Sequence, residues 1–171
     1  MAVKASLILP AVAAAAEEVS SSFPYIYAPT GAGRNSAWAL NNSATYRIQW
    51  NFLLPNNFNG SPVLRFAWSG NSTSTTSGDI RIGVEVATFT SGDGVDVASG
   101  ITFDTANLAT LTKTGGISGK SLEVSEITLS NFDSGVANDF CLLAFERIGG
   151  DAADTWTQTM YLWSAELEYN L

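Results

Sequence analysis

The last third of the chain, 139–171, admits few folds. It reads DFCLLAFERIGGDAADTWTQTMYLWSAELEYNL, two long apolar runs separated by one Gly- and Asp-rich turn. The two runs flank that turn and are expected as β-strands. In the second run Tyr161, Trp163, Ala165, Leu167 and Tyr169 share one parity, which predicts the buried face and turns Glu166 and Glu168 to solvent. Arg147 and Asp154 flank the turn, and an ion pair between them would fix it. The expectation is a hairpin at the centre of an all-β sandwich.

The stretch before it obeys the same period of two. Tyr46, Ile48, Trp50, Phe52 and Leu54 alternate with Thr45, Arg47, Gln49 and Asn51. Leu64, Phe66 and Trp68 share a face, as do Ile80, Ile82, Val84 and Val86. A short strand is predicted over Leu108–Thr112 and another over Ser121–Ser130. In the latter Leu122 and Val124 share one parity while Ile127 and Leu129 take the other, which predicts a β-bulge near Ser125-Glu126. GNSTSTTSG, residues 70–78, is a polar loop. The total is about eight substantial strands with turn signals between them, a pattern that fits an antiparallel β-sandwich of the jelly-roll type.

Residues 1–22 differ in character. They are Ala-rich, with Pro10 interrupting an apolar run that follows Lys4. This segment is expected as an N-terminal arm, extended at first and with a short helix over Ala11–Val19, and 23–171 as the sandwich domain. An arm of this kind can pack on its own domain or dock on another subunit; the second is the expectation here.

Composition narrows the chemistry. At 171 residues the chain is sized for one domain with a substantial core. Charged residues are 14%, a low density for a free surface. The net charge is −8 and the basic residues are scattered singly, which argues against nucleic acid and against an anionic membrane as partners. There is no histidine, so a Ser–His–Asp triad is excluded. The single cysteine, Cys141, lies inside an apolar strand and reads as a small buried hydrophobe.

Asp93 and Asp96, and Asp151 and Asp154, are paired acids in loops, but neither stretch has EF-hand spacing and Asp-Gly runs are good turns. No metal and no cofactor is expected. Glycosidase chemistry needs two carboxyls facing each other across a cleft, whereas Glu166 and Glu168 share one strand face, with Glu146 in the partner strand. Trp50, Trp68 and Trp163 are in phase with core positions. Trp156 follows the Asp-rich turn and is equally placed for exposure or burial.

The order of the strand motifs resembles a recurrent β-sandwich of tailed-phage structural proteins. The pieces are Trp50 to Pro55, Leu64 to Trp68, Gly78 to Val86, Leu143 to Arg147, Asp154-Thr155 and Leu167 to Tyr169. The resemblance implies a virion protein, most similar to capsid decoration (cement) proteins: a homotrimer on the outer surface of the capsid that bridges major capsid protein subunits, without catalytic residues. The partner contacts expected are Leu7, Ile8, Leu9 and Pro10 of the arm and Asp151, Asp154 and Trp156 of the turn. The alternative is a carbohydrate-binding jelly-roll module of a tail fibre or other tail appendage, with Trp156 or Tyr161 exposed in a groove lined by Asp and Asn.

Overall fold

The fold is that of a computed structural model, which describes residues 3–10, 14–17, 25–27, 36–71, 73, 76–94, 101–114 and 119–171. Among these residues eleven strands form: β1 (Lys4–Pro10), β2 (Ala15–Glu17), β3 (Tyr25–Tyr27), β4 (Ala37–Leu40), β5 (Thr45–Leu53), β6 (Asn59–Gly70), β7 (Gly78–Phe89), β8 (Asn107–Lys113), β9 (Glu123–Thr128), β10 (Phe140–Ile148) and β11 (Met160–Asn170). One sheet runs β3-β4-β11-β6-β9, with β1 also paired to β11; the other runs β2-β5-β10-β7-β8. From β4 onward the chain changes sheet at every connection except the β7–β8 hairpin. That is the eight-stranded jelly roll, and no helix occurs among the described residues.

The two C-terminal strands do not pair with each other, contrary to the hairpin expectation. β10 lies between β5 and β7, while β11 lies in the opposite sheet between β6 on one side and β4 and β1 on the other. Local sequence is the same for a hairpin and for an arch between sheets; the difference is in what each strand buries. β10 is covered on both faces, since Leu142 and Ala144 are as buried as Cys141, Leu143 and Phe145. Its outer side lies in the sheet face crossed by 101–106, where the Arg47 guanidinium stacks on the Phe103 ring at 4.4 Å and pairs with Glu85 at 2.6 Å. A strand buried on both faces takes the near-continuous apolar sequence seen here.

Two phase predictions change for the same kind of reason. In β11 the register shifts between Leu162 and Ser164, so Leu162 and Ala165 both reach the core. Tyr161 and Trp163 are thereby placed in a separate cluster with Ala37 and Ala39, instead of sharing the core face with Leu167 and Tyr169. β9, where a bulge was expected, pairs with β6 in unbroken register from Val63↔Thr128 to Trp68↔Glu123. Leu122 and Val124 simply face outward, Val124 at 61% exposure, while Ile127 and Leu129 are buried.

The N-terminal segment supplies a strand to each sheet. β1 pairs along its length with β11, and β2 pairs with β5. Residues 15–17 are therefore extended where a helix was expected; 11–13, 18 and 19 lie outside the described residues. Leu9 joins the core and the Trp50 indole N–H donates to Pro10 O at 2.9 Å.

The core between the sheets is built from the predicted faces of β5, β6 and β7 together with Cys141, Leu143 and Phe145 of β10, with Phe66 edge-on to Phe145 at 5.0 Å. Each such side chain contributes roughly 1.5–3 kcal/mol by leaving water. Gly70 and Gly78, which bound the polar loop, both lie against Trp156: a Cβ on Gly70 would sit 2.3 Å from its Cη2, and one on Gly78 2.9 Å from its Cα. The loop's glycines are thus placed by packing and not only by turning.

Candidate functional site

β8 and β9 are the outermost strands of their respective sheets, on the same side of the sandwich. Between their edges the two sheets part. The bottom of the gap is closed by polar contacts and not by hydrocarbon. Lys113, 1% exposed, donates from Nζ to Glu123 Oε1 at 2.6 Å and lies 5.6 Å from the Trp68 ring centroid. The Trp68 indole N–H donates to Ser125 Oγ at 3.0 Å. A buried lysine needs such a partner, because an ammonium left alone there would lose several kcal/mol of hydration, on the order of the cost of any unpaired buried ion. Above this floor opens a cleft of about 650 Å³, with Thr110 and Thr112 on one lip and Val124 and Glu126 on the other.

The polar groups of the cleft divide into those already engaged and those free. Thr110 Oγ1 accepts from Arg81 Nη1 at 2.9 Å, so its own O–H remains to donate. Ser125 Oγ accepts the Trp68 N–H and is left with the same capacity. Thr112 has no side-chain hydrogen bond among the described residues. Arg65, at one end, donates from Nη1 to Glu166 Oε1 at 3.0 Å. Its Nε is 3.9 Å from Glu126 Oε2, an ion pair beyond hydrogen-bonding reach, so Glu126 accepts no side-chain hydrogen bond among the described residues. Strand register turns Ser125 toward the gap, beside the Trp68 indole, whereas Thr110 and Thr112 stand on the outer side of β8 and Glu126 on the outer side of β9, so these groups meet the cleft from its two rims.

A second depression, about 380 Å³, adjoins it on the outer face of the β6-containing sheet. The strands are in register there, so Ile8, Glu166, Arg65 and Glu126 form one row across β1, β11, β6 and β9, and Pro10, Ser164, Ala67 and Val124 the next. The small residues Ser164 and Ala67 make the hollow; Ile8 and Val124 flank it. Arg65 and Val124 line both depressions, which makes them one furrow that passes over β9.

Of the seven contacts expected from sequence, the structure leaves some exposed and buries others. Ile8 is 71% exposed and Pro10 is exposed, whereas Leu7 packs partly against the core and Leu9 is buried in it. Trp156, 1% exposed, is buried edge-on to Trp68, so it is neither a partner contact nor a sugar platform. Asp154 is also turned inward: its carboxylate accepts from Arg147 Nε at 2.9 Å and from Nη2 at 2.7 Å, with both side chains fully buried. The expected ion pair is present, but as an interior anchor and not a surface one. Asp151 stays at the surface and accepts the Ala153 N–H at 2.7 Å, a turn role.

Other candidates resolve the same way. Burial pushes the Cys141 thiol well above its ordinary range, with Asp133 and Asp139 adding to the effect, so it stays protonated and unreactive. Asp93 caps its own turn by accepting the Thr90 N–H at 2.8 Å, and Asp96 lies outside the described residues. Glu166 and Glu168 pair with Arg65 and Lys4 on the outer face, and Glu146 belongs to the other sheet. Tyr161 is buried against Ala37 and Ala39, and the neighbouring Trp163 is half-buried, donating its N–H to Ser69 Oγ at 2.9 Å.

The polar residues that line the cleft, Thr110, Thr112, Ser125 and Glu126, were not singled out as a site by sequence reasoning. They sit on two short edge strands whose polar positions carry no periodic signal. The one available hint was a pair of consecutive short strands rich in Thr, Ser and Glu.

No protein-family model matches the sequence, and no curated protein matches it. Solved structures do share its architecture. Arthrobacter globiformis T6 isomalto-dextranase in complex with panose superposes with a TM-score of 0.56 at 17% identity, over 95% of this chain and 23% of that one. The mosquito-larvicidal Cry4Aa toxin of Bacillus thuringiensis gives 0.52 at 14%, over 97% and 23%. This chain thus spans about a quarter of either protein. TmCBM27, a carbohydrate-binding module known for specific mannan recognition, gives 0.50 at 10% identity and is matched nearly end to end, over 98% of this chain and 99% of that one. The likeness is one of fold. It supports a jelly-roll sandwich of the kind found in carbohydrate-binding modules, and it lends no support to the virion resemblance.

Proposed function

We propose that the chain is a carbohydrate-binding jelly-roll module that holds its ligand in the β8–β9 cleft. The observation that carries this reading is the set of uncommitted hydrogen-bonding groups around the cleft. A sugar presents alternating hydroxyl donors and acceptors, and the residues lining the cleft supply both kinds: the Thr110, Thr112 and Ser125 hydroxyls and, on the outer side of β9, the Glu126 carboxylate. Trp68 is a floor and not a stacking platform, since it is buried and its N–H is used by Ser125. Affinity in such a site comes from hydrogen bonds more than from ring stacking. The end-to-end fold likeness to a mannan-recognising module agrees with this assignment, and the role assigned is binding without bond cleavage.

The decoration-protein reading has less to support it. It gave the apolar residues of the arm to a neighbouring capsid subunit, whereas Leu9 is spent in the chain's own core and β1 on β11.

Affinity electrophoresis through native gels containing neutral polysaccharides tests the proposal. Soluble β-mannan, dextran and mixed-linkage β-glucan form a first panel. Retardation by at least one of them, confirmed by calorimetric titration, is the expected result. Unretarded migration in every gel with no heat of binding would count against the module reading as a whole.

A further inference from the structure

We infer that one linear glycan segment occupies the β8–β9 cleft and the outer depression together, with Arg65 as the residue that holds it where the two meet. This rests on the carbohydrate-binding reading above and adds the length of the ligand and a contact residue. Arg65 and Val124 line both hollows, of about 650 and 380 Å³. The outer one lies across the strands, where Ile8, Glu166, Arg65 and Glu126 form a row over β1, β11, β6 and β9. Neighbouring strands are about 4.8 Å apart, so that row is about 14 Å long. A pyranose unit in a chain advances by roughly one strand spacing, which gives room for about three units outside the cleft, with the chain continuing into it.

Arg65 stands between two carboxylates on this row. Its Nη1 donates to Glu166 Oε1 at 3.0 Å, and its Nε pairs with Glu126 Oε2 at 3.9 Å. The side chain is 42% exposed, and Nε and Nη2 donate no hydrogen bond among the described residues. A guanidinium steadied from both sides is a preorganised fork for two adjacent oxygens, and it loses less freedom when a ligand arrives. The carboxylates beside it can accept from sugar hydroxyls. The next row is apolar or small, with Pro10, Ser164, Ala67 and Val124. Ser164 and Ala67 leave the space for a ring, and the exposed Ile8 and Val124 offer aliphatic surface to its C–H face.

Titration calorimetry on the full chain tests this with manno-, isomalto- and mixed-linkage gluco-oligosaccharides, each from disaccharide to hexasaccharide. The variants are Arg65→Gln, Ser164→Leu to fill the outer depression, and Lys4→Gln, which removes an equal charge from the Lys4–Glu168 pair outside the furrow. In at least one series, affinity should rise at least tenfold from disaccharide to hexasaccharide. Arg65→Gln should weaken hexasaccharide binding at least tenfold, Ser164→Leu should reduce it to the level of the shortest members, and Lys4→Gln should leave it within twofold. A disaccharide bound as tightly as its hexasaccharide, or a hexasaccharide bound equally by Arg65→Gln or by Ser164→Leu, overturns the inference while leaving a carbohydrate-binding module. So does a polysaccharide that retards the chain when none of its oligosaccharides binds. Absence of binding to every polymer and every oligosaccharide overturns both.

Discussion

Replacing Arg147 or Asp154 should unfold the protein at markedly lower denaturant concentration. The Arg147 guanidinium is fully buried and its hydrogen-bonding capacity is met: two contacts to Asp154, and others to Leu40 O at 3.2 Å, Gln158 O at 2.6 Å and Trp156 O at 2.5 Å. Asp154 Oδ2 also accepts the Arg81 N–H at 3.1 Å. One ion pair therefore joins β4, β7, β10 and the connection into β11. Arg147→Met strands a buried carboxylate and three carbonyls; Asp154→Asn strands a buried cation. Removing one partner of such a pair costs about 3–5 kcal/mol, against a total of about 5–15 kcal/mol for a typical domain. The loss should be greater for Arg147→Met, because more groups lose their partners. The double variant Arg147→Met/Asp154→Asn should fall short of the sum by about 1–3 kcal/mol, since the second change removes a charge already stranded. Equilibrium urea denaturation followed by tryptophan fluorescence reads all three. Singles within about 1 kcal/mol of the parent, or strict additivity, would refute the reasoning.

Three further outcomes follow from the packing. Leu9→Ala should cost about 2–4 kcal/mol in the same assay, because Leu9 joins the core, whereas the adjacent Ile8→Ala should stay within about 0.5 kcal/mol. Gly70→Ala should cost about 1–3 kcal/mol through collision with Trp156 and the Gly119 carbonyl, and Gly150→Ala, with nothing within 4 Å, should be neutral. Cys141 should resist a disulfide-exchange reagent in the native protein and react fully once guanidinium unfolds it, which a colorimetric thiol assay reads.

Much of the fold is legible in the sequence because half-buried strands write their burial as a period of two. The faces of β5, β6 and β7 follow directly from Ile48, Phe66 and Val84 and their neighbours. Pairing partners are another matter. β10 and β11 look like a hairpin because a turn joins two apolar runs, but a turn and an inter-sheet arch use the same residues, and only the double-sided burial of β10 distinguishes them. The bulge at Trp163 is equally silent, since both flanking phases are apolar. The Arg147–Asp154 pair was visible as two charges about a turn, yet its depth depends on carbonyls from β4 and from the connection into β11. The cleft was the least legible feature. Its residues are polar side chains on edge strands, where solvent and ligand impose the same composition, and Lys113 faces inward against its own pattern because Glu123 and Trp68 receive it.

The central claim is that the gap between β8 and β9 is where a glycan binds. Amide chemical shifts of the isotopically labelled chain, recorded as a retained neutral polysaccharide's oligosaccharide is titrated in, test it most directly. The account predicts saturable shifts centred on Thr110, Thr112, Ser125 and Glu126, with the turn from Asp151 to Trp156 unmoved. Shifts centred anywhere else in the sandwich would contradict it.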